Sequence, residues 1–179
     1  DTVMISSSSE LTALGSIHFD TASDEGETRV VLMSGGGLTS DPGTTISHAL
    51  SDLVVSVRDD VDLLGTTLSA GRRLEVLGQS DVTITSGRME ASESVRLQAA
   101  EDLHLNSVQF SQGLPSIFLQ ANTVNLTNID FPGGSSVNIN SLKGALDGKY
   151  PNFGTSNYGR VNFLENVKYG GNLIMDRPG

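Results

Sequence analysis

The sequence predicts an all-β fold: a single-stranded, right-handed parallel β-helix (β-solenoid) of about seven coils of ~21 residues, with three short strands per coil and a loop-rich C-terminal cap. Three observations carry this. Apolar pairs recur at steps of 21: Val61-Asp62-Leu63, Val82-Thr83-Ile84, Leu103-His104-Leu105 and Val124-Asn125-Leu126. A second series, Leu68, Met89, Phe110 and Phe131, keeps the same step. A third is looser: Leu53-x-Val55, Leu74-x-Val76, Val95-x-Leu97, Ile117-x-Leu119 and Val137-x-Ile139. Each unit alternates with period 2, the mark of a strand with one buried and one wet face. Coils stacked at the ~4.8 Å strand spacing would place residues 21 apart above one another.

The middle positions set the sidedness. One column reads Asp62, Thr83, His104, Asn125; another reads Val54, Glu75, Arg96, Phe118, Asn138. A slip of one residue would bury Asp62 and Arg96, so the pattern pins the register. Glu75 over Arg96 is expected to form an opposite-charge neighbour pair.

The 179-residue chain is read as one domain, with irregular first coils over 1–50, regular coils over 51–142, and a terminal loop, cap and strand over 143–179. Val3-x-Ile5 opens the first coil and Ile17-x-Phe19 is its later strand. Asp24-Glu25-Gly26-Glu27 is loop-like. A second coil starts at Arg29-Val30-Val31-Leu32, with corners at Gly35-Gly36-Gly37 and Asp41-Pro42-Gly43. Leu50 to Leu64 is the one helix candidate. It is rejected because Val54, Val55 and Val57 sit at strand spacing among four Asp. Lys143 to Arg160 breaks the rhythm. Val161-x-Phe163, Val167-x-Tyr169 and the apolar strand Leu173-Ile174-Met175 restore it.

The formal net charge of −10 argues against nucleic acid and anionic membrane as partners, since both require a basic face. No apolar run approaches the ~20 residues of a helical membrane span. With no Cys there is neither a disulfide framework nor a thiolate metal site. The chain starts at Asp1, which is read as a mature or excised product.

Candidate sites are few. Asp59, Asp60 and Asp62 are the weak calcium candidates, because hard cations gather carboxylates. The spacing of a calcium loop is absent, so a solvated acidic corner is expected, and no cofactor or metal is assigned. His18, His48 and His104 are read as surface residues, not ligands. Gly35-Gly36-Gly37 lacks the Lys-Ser/Thr of a phosphate loop. The outward columns offer Asp62 and Glu75 as acids, too sparse for paired carboxylates, so no catalytic residue is assigned. Tyr150, Phe153, Tyr158 and Tyr169 form the aromatic concentration, either a cap over the last coil or a sugar-stacking surface. Val3, Met4 and Ile5 at one end, with Leu173, Ile174 and Met175 at the other, are the expected assembly residues.

The coil Leu74-Glu75-Val76-Leu77 / Val82-Thr83-Ile84-Thr85 / Arg88-Met89-Glu90-Ala91, followed by Val95-Arg96-Leu97-Gln98-Ala99-Ala100, resembles coils of large exported bacterial β-helix proteins. These are of the filamentous-haemagglutinin-like and autotransporter-passenger type. The ending Val161-Asn162-Phe163 to Val167-Lys168-Tyr169-Gly170-Gly171 is similar to their closing segments, and the resemblance covers Ser51 to Gly171. It implies an extracellular or cell-surface protein with adhesive or structural work and no chemistry of its own. The expected partner is a second copy, joined head to tail by strand addition into a fibre or matrix. The alternatives are a segment of a larger adhesin that binds glycans or a host surface, and a polysaccharide lyase or hydrolase.

Overall fold

Twenty short strands, alternately apolar and polar, pair in parallel throughout the computed structural model, which describes residues 2–19, 28–141, 160–169 and 172–176. Turn one holds β1 (Thr2–Ser7), β2 (Leu11–Ala13) and β3 (Ile17–Phe19). Turn two holds β4 (Arg29–Ser34), β5 (Leu38–Ser40) and β6 (Thr45–His48). Turn three holds β7 (Leu53–Val57), β8 (Val61–Leu64) and β9 (Thr67–Ala70). Turn four holds β10 (Arg73–Gly78), β11 (Val82–Thr85) and β12 (Arg88–Glu90). Turn five holds β13 (Ser94–Ala99), β14 (Asp102–Asn106) and the two-residue β15 (Gln109–Phe110).

Beyond these about five complete turns the three-strand rule changes. After β16 (Ser116–Ala121), the second and third strands fuse into the nine-residue β17 (Thr123–Phe131). β18 (Ser136–Ser141), the ten-residue β19 (Arg160–Tyr169) and β20 (Asn172–Asp176) complete the stack. No helix occurs among the described residues.

The first strands of successive turns form an eight-stranded sheet, β1-β4-β7-β10-β13-β16-β18-β20. The second and third strands form a twelve-stranded sheet, because β17 pairs with β14 along its first half and with β15 at Asp130. The fold is thus a β-solenoid, as the periodicity predicts. Val61, Val82, Leu103 and Val124 are register partners in one column, each at most 1% exposed. Leu68, Met89 and Phe110 make a second column, and the Phe110 and Phe131 rings stack with centroids 5.6 Å apart. Each such inward side chain contributes about 1.5–3 kcal/mol by burial.

The corners explain how so few residues turn the chain. Gly65, Ser86 and Ser107 each follow a second strand, Asn128 holds the equivalent place within β17, and each takes a left-handed backbone, φ 60°, 52°, 56° and 51°. One left-handed residue bends the chain from one face to the next without a loop. Glycine adopts that region freely and asparagine readily, while serine must be held there by the ladder. The ladder does hold it: Ser86 N–H donates to the Asn106 carbonyl at 2.9 Å, and Ser107 N–H to the Thr127 carbonyl at 2.9 Å. Gly35 and Gly36 form the expected corner, between β4 and β5. Their N–H groups donate to Ser7 and Ser9 carbonyls, and a Cβ on Gly35 would sit 2.7 Å from the Ser8 carbonyl oxygen. Close stacking of two turns is what requires glycine there.

The outward columns run as expected, with corrections. Val54 is on the outer side of β7 yet 6% exposed. Glu75 and Arg96 are register partners, but the Arg96 guanidinium lies 5.0 Å from the Phe118 ring centroid in the next turn. A half-buried cation over an aromatic face, worth about 0.5–1 kcal/mol, outweighs an exposed ion pair worth a few tenths. The strand β2, Leu11–Ala13, was not anticipated; its three residues are too few for alternation to register.

Candidate functional site

The two ends of the solenoid are where the expected assembly residues lie. A turn inside the stack is covered on both sides, whereas among the described residues β1, β2 and β3 each pair only with the turn above. Val3 and Val30 occupy the same inward column, yet Val3 is 38% exposed and Val30 is fully buried. Ile5 over Leu32 and Ile17 over Ile46 repeat the contrast. Met4 points outward and is 61% exposed. The free edge of β1 reads Thr-Val-Met-Ile-Ser-Ser, with no charge and no proline. Such an edge offers its unpaired N–H and C=O groups to another strand.

The opposite end is built differently. β20 pairs with β18, Leu173 against Val137 and Met175 against Ile139. Leu173 packs on the core and Ile174 is exposed. β19 pairs with all of β17, but Leu126 opposes Phe163 and Thr127 opposes Glu165, so Leu164 is an extra, exposed residue. A bulge disrupts the ladder, and with Glu165 and Lys168 exposed it blunts this edge. Of the four aromatics, Tyr150, Phe153 and Tyr158 lie outside the described residues; Tyr169 ends β19, its backbone opposite Phe131.

The acidic candidates take structural work. Asp60 Oδ1 accepts the Asp81 N–H at 3.2 Å, and Asp81 Oδ1 accepts the Asp102 N–H at 3.0 Å. These aspartates cap one another's backbones from turn to turn. Asp59 and Asp62 are exposed, and no group of three metal-ligating side chains occurs among the described residues.

A second charge cluster was not anticipated. The Arg72 Nε–Glu93 pair is 2.8 Å, while Arg73 reaches Glu93 at 3.4 Å and Asp52 at 3.5 Å. The hydrogen bond from Arg72, opposed by desolvation and aided by the charges of Arg72 and Arg73, holds the Glu93 carboxyl below the usual carboxylate range.

The histidines divide. His18 is exposed, as expected. His104 is half-buried beside Asn125, 3.1 Å away. His48 is not a surface residue: it is fully buried, with Nε2 2.7 Å from the Thr28 carbonyl oxygen and Nδ1 3.3 Å from that of Phe19. It closes β6 rather than lying past it, and takes the inward phase set by Ile46 two residues earlier, in register with the buried Ala70. The third outward face also corrects the count of acids, because it carries Glu90 and Asp130 beside Arg88. The signal was legible: Arg88, Gln109 and Asp130 are 21 apart.

Comparison with protein-family models, with curated proteins and with solved structures found no match in any of the three.

Proposed function

We propose that the chain is a non-enzymatic extracellular rod with a structural and adhesive role, a right-handed helix of about seven coils that stacks head to tail by strand addition. The observation that carries this reading is the bare first turn. Apolar residues whose column mates one turn away are fully buried stay 38–42% exposed along an uncharged edge. The matching surface is β20, the last strand of the eight-stranded sheet. A second copy would lay its β1 along β20, extending that sheet with its parallel sense unchanged, while the bulged and charged edge of β19 is left out of the contact. A contact of this kind does not close on itself, so it yields a filament. Cell-surface or secreted location, bacterial origin and kinship with the filamentous-haemagglutinin-like type follow from the resemblance of the coils. No cofactor is required.

Sedimentation velocity over a wide concentration range tests the reading. Species larger than the monomer should grow with concentration and vanish in Ile5→Lys. A monomer at every concentration refutes it. Sequence that continues the 21-residue rhythm beyond either end would favour the alternative, one segment of a longer adhesin.

A further inference from the structure

The third outward face holds an open groove of about 710 Å³ that assembly at the ends does not use. Its floor is one column of register partners, Arg88, Gln109 and Asp130, on β12, β15 and β17. At one strand spacing per step these three heads span about 10 Å along the solenoid axis. One wall is the left-handed corner at Ser107 and Asn128. The other is the pair of turns at Gln112 and Gly133. The positions before Arg88 and Glu90 in the same columns are Thr67 and Ser69, short hydroxyls, so the long polar heads begin here; on the other side Lys168 of β19 continues the column past Asp130. Beneath the floor the stacked Phe110 and Phe131 rings make a rigid base.

We propose that this groove binds a neutral oligosaccharide, lying along the axis with successive sugars over Arg88, Gln109 and Asp130. The chemistry selects the ligand class. A guanidinium donates, a carboxylate accepts and an amide does both, the complement needed by hydroxyl-rich chains. One sugar unit is close in length to one strand spacing, so a grid of polar heads at that spacing can repeat the same contact. Arg88 Nε lies 3.4 Å from the Glu90 carboxylate, an exposed pair that sets the guanidinium beside the groove. Glu90 and Asp130 are matched by Arg88 and, one step further along the column, by Lys168, so the face itself has no excess of positive charge to select phosphates or uronate chains, and the chain's net charge of −10 repels them. The long heads of the floor are polar, which disfavours an apolar ligand.

The site is independent of end-to-end contact and is tested on the full chain, with Ile5→Lys added so that polymerisation does not interfere. Cello-, xylo-, manno- and malto-hexasaccharides are titrated by calorimetry, with an oligogalacturonate as the acidic comparator. At least one neutral hexasaccharide should bind. Gln109→Ala and Asp130→Asn should each weaken it about tenfold, the loss of one strong hydrogen bond, with melting unchanged. Thr67→Ala, outside the groove, should leave affinity as it was. Absence of binding by all four, indifference of the affinity to both groove substitutions, or a preference for the oligogalacturonate would each overturn the proposal.

Discussion

The first turn and the fourth carry the same alternating pattern and reach opposite states. In the fourth, Leu74, Val76, Val82, Ile84 and Met89 are fully buried; in the first, Val3, Ile5 and Ile17 are 38–42% exposed. Composition does not separate them, since both present β-branched and long aliphatic side chains on the inner face. What separates them is the number of neighbouring turns. In a solenoid each turn lends its neighbours half of their cover, so stability accrues at interfaces between turns and is lowest at an end.

The largest expected effect follows from that contrast. Leu74→Ala removes a fully buried side chain between two turns and should cost about 2–5 kcal/mol. Ile5→Ala should cost under about 1 kcal/mol, because much of that side chain is already wet. Equal shifts of the urea midpoint, followed by circular dichroism, would break the comparison. Next is backbone approach. A Cβ on Gly71 would lie 2.2 Å from the Ala49 carbonyl oxygen, so Gly71→Ala forces two turns apart and should cost about 1–3 kcal/mol in the same assay.

Smaller again is the aspartate ladder, found between inner turns and not at β1–β3. Asp81→Ala uncaps the Asp102 N–H and should cost about 1–2 kcal/mol; Asp81→Asn should recover part of it, since an amide oxygen still accepts. The smallest effect concerns pH. The folded-state pKa of Glu93 is lowered, so its contribution is present above the unfolded carboxylate value and is lost as pH falls through the folded one. Glu93→Gln should therefore lower stability slightly in the neutral range and leave it almost unchanged at pH 3, so that the acid limb of the stability curve is less steep. A change of equal size at pH 7 and pH 3 would contradict that sign.

The stacking was legible because the interval of 21 residues gives each side chain an address in a column, and alternation gives it a side. Val61, Val82, Leu103 and Val124 needed nothing more. The first two turns were legible only in outline. Val3 lies 27 residues from its partner Val30, and Leu38 lies 23 from Val61, so no constant interval relates them. The candidate groove was half visible: Arg88, Gln109 and Asp130 share a column, but the walls that make it a groove are corners and turns, which lack the strand period.

By itself the sequence determined the class of fold, the register and which side chains face inward, because burial of an alternating apolar set allows only one phase. The tertiary structure alone decided which outward groups meet. Arg96 chose Phe118 over Glu75, and β8, β11 and β14 ended in single left-handed corners while the equivalent residue, Asn128, stayed within β17. Those outcomes depend on rotamers, corner dihedrals and the height of neighbouring turns. Differences of about a kcal/mol decide such choices only once the turns are stacked.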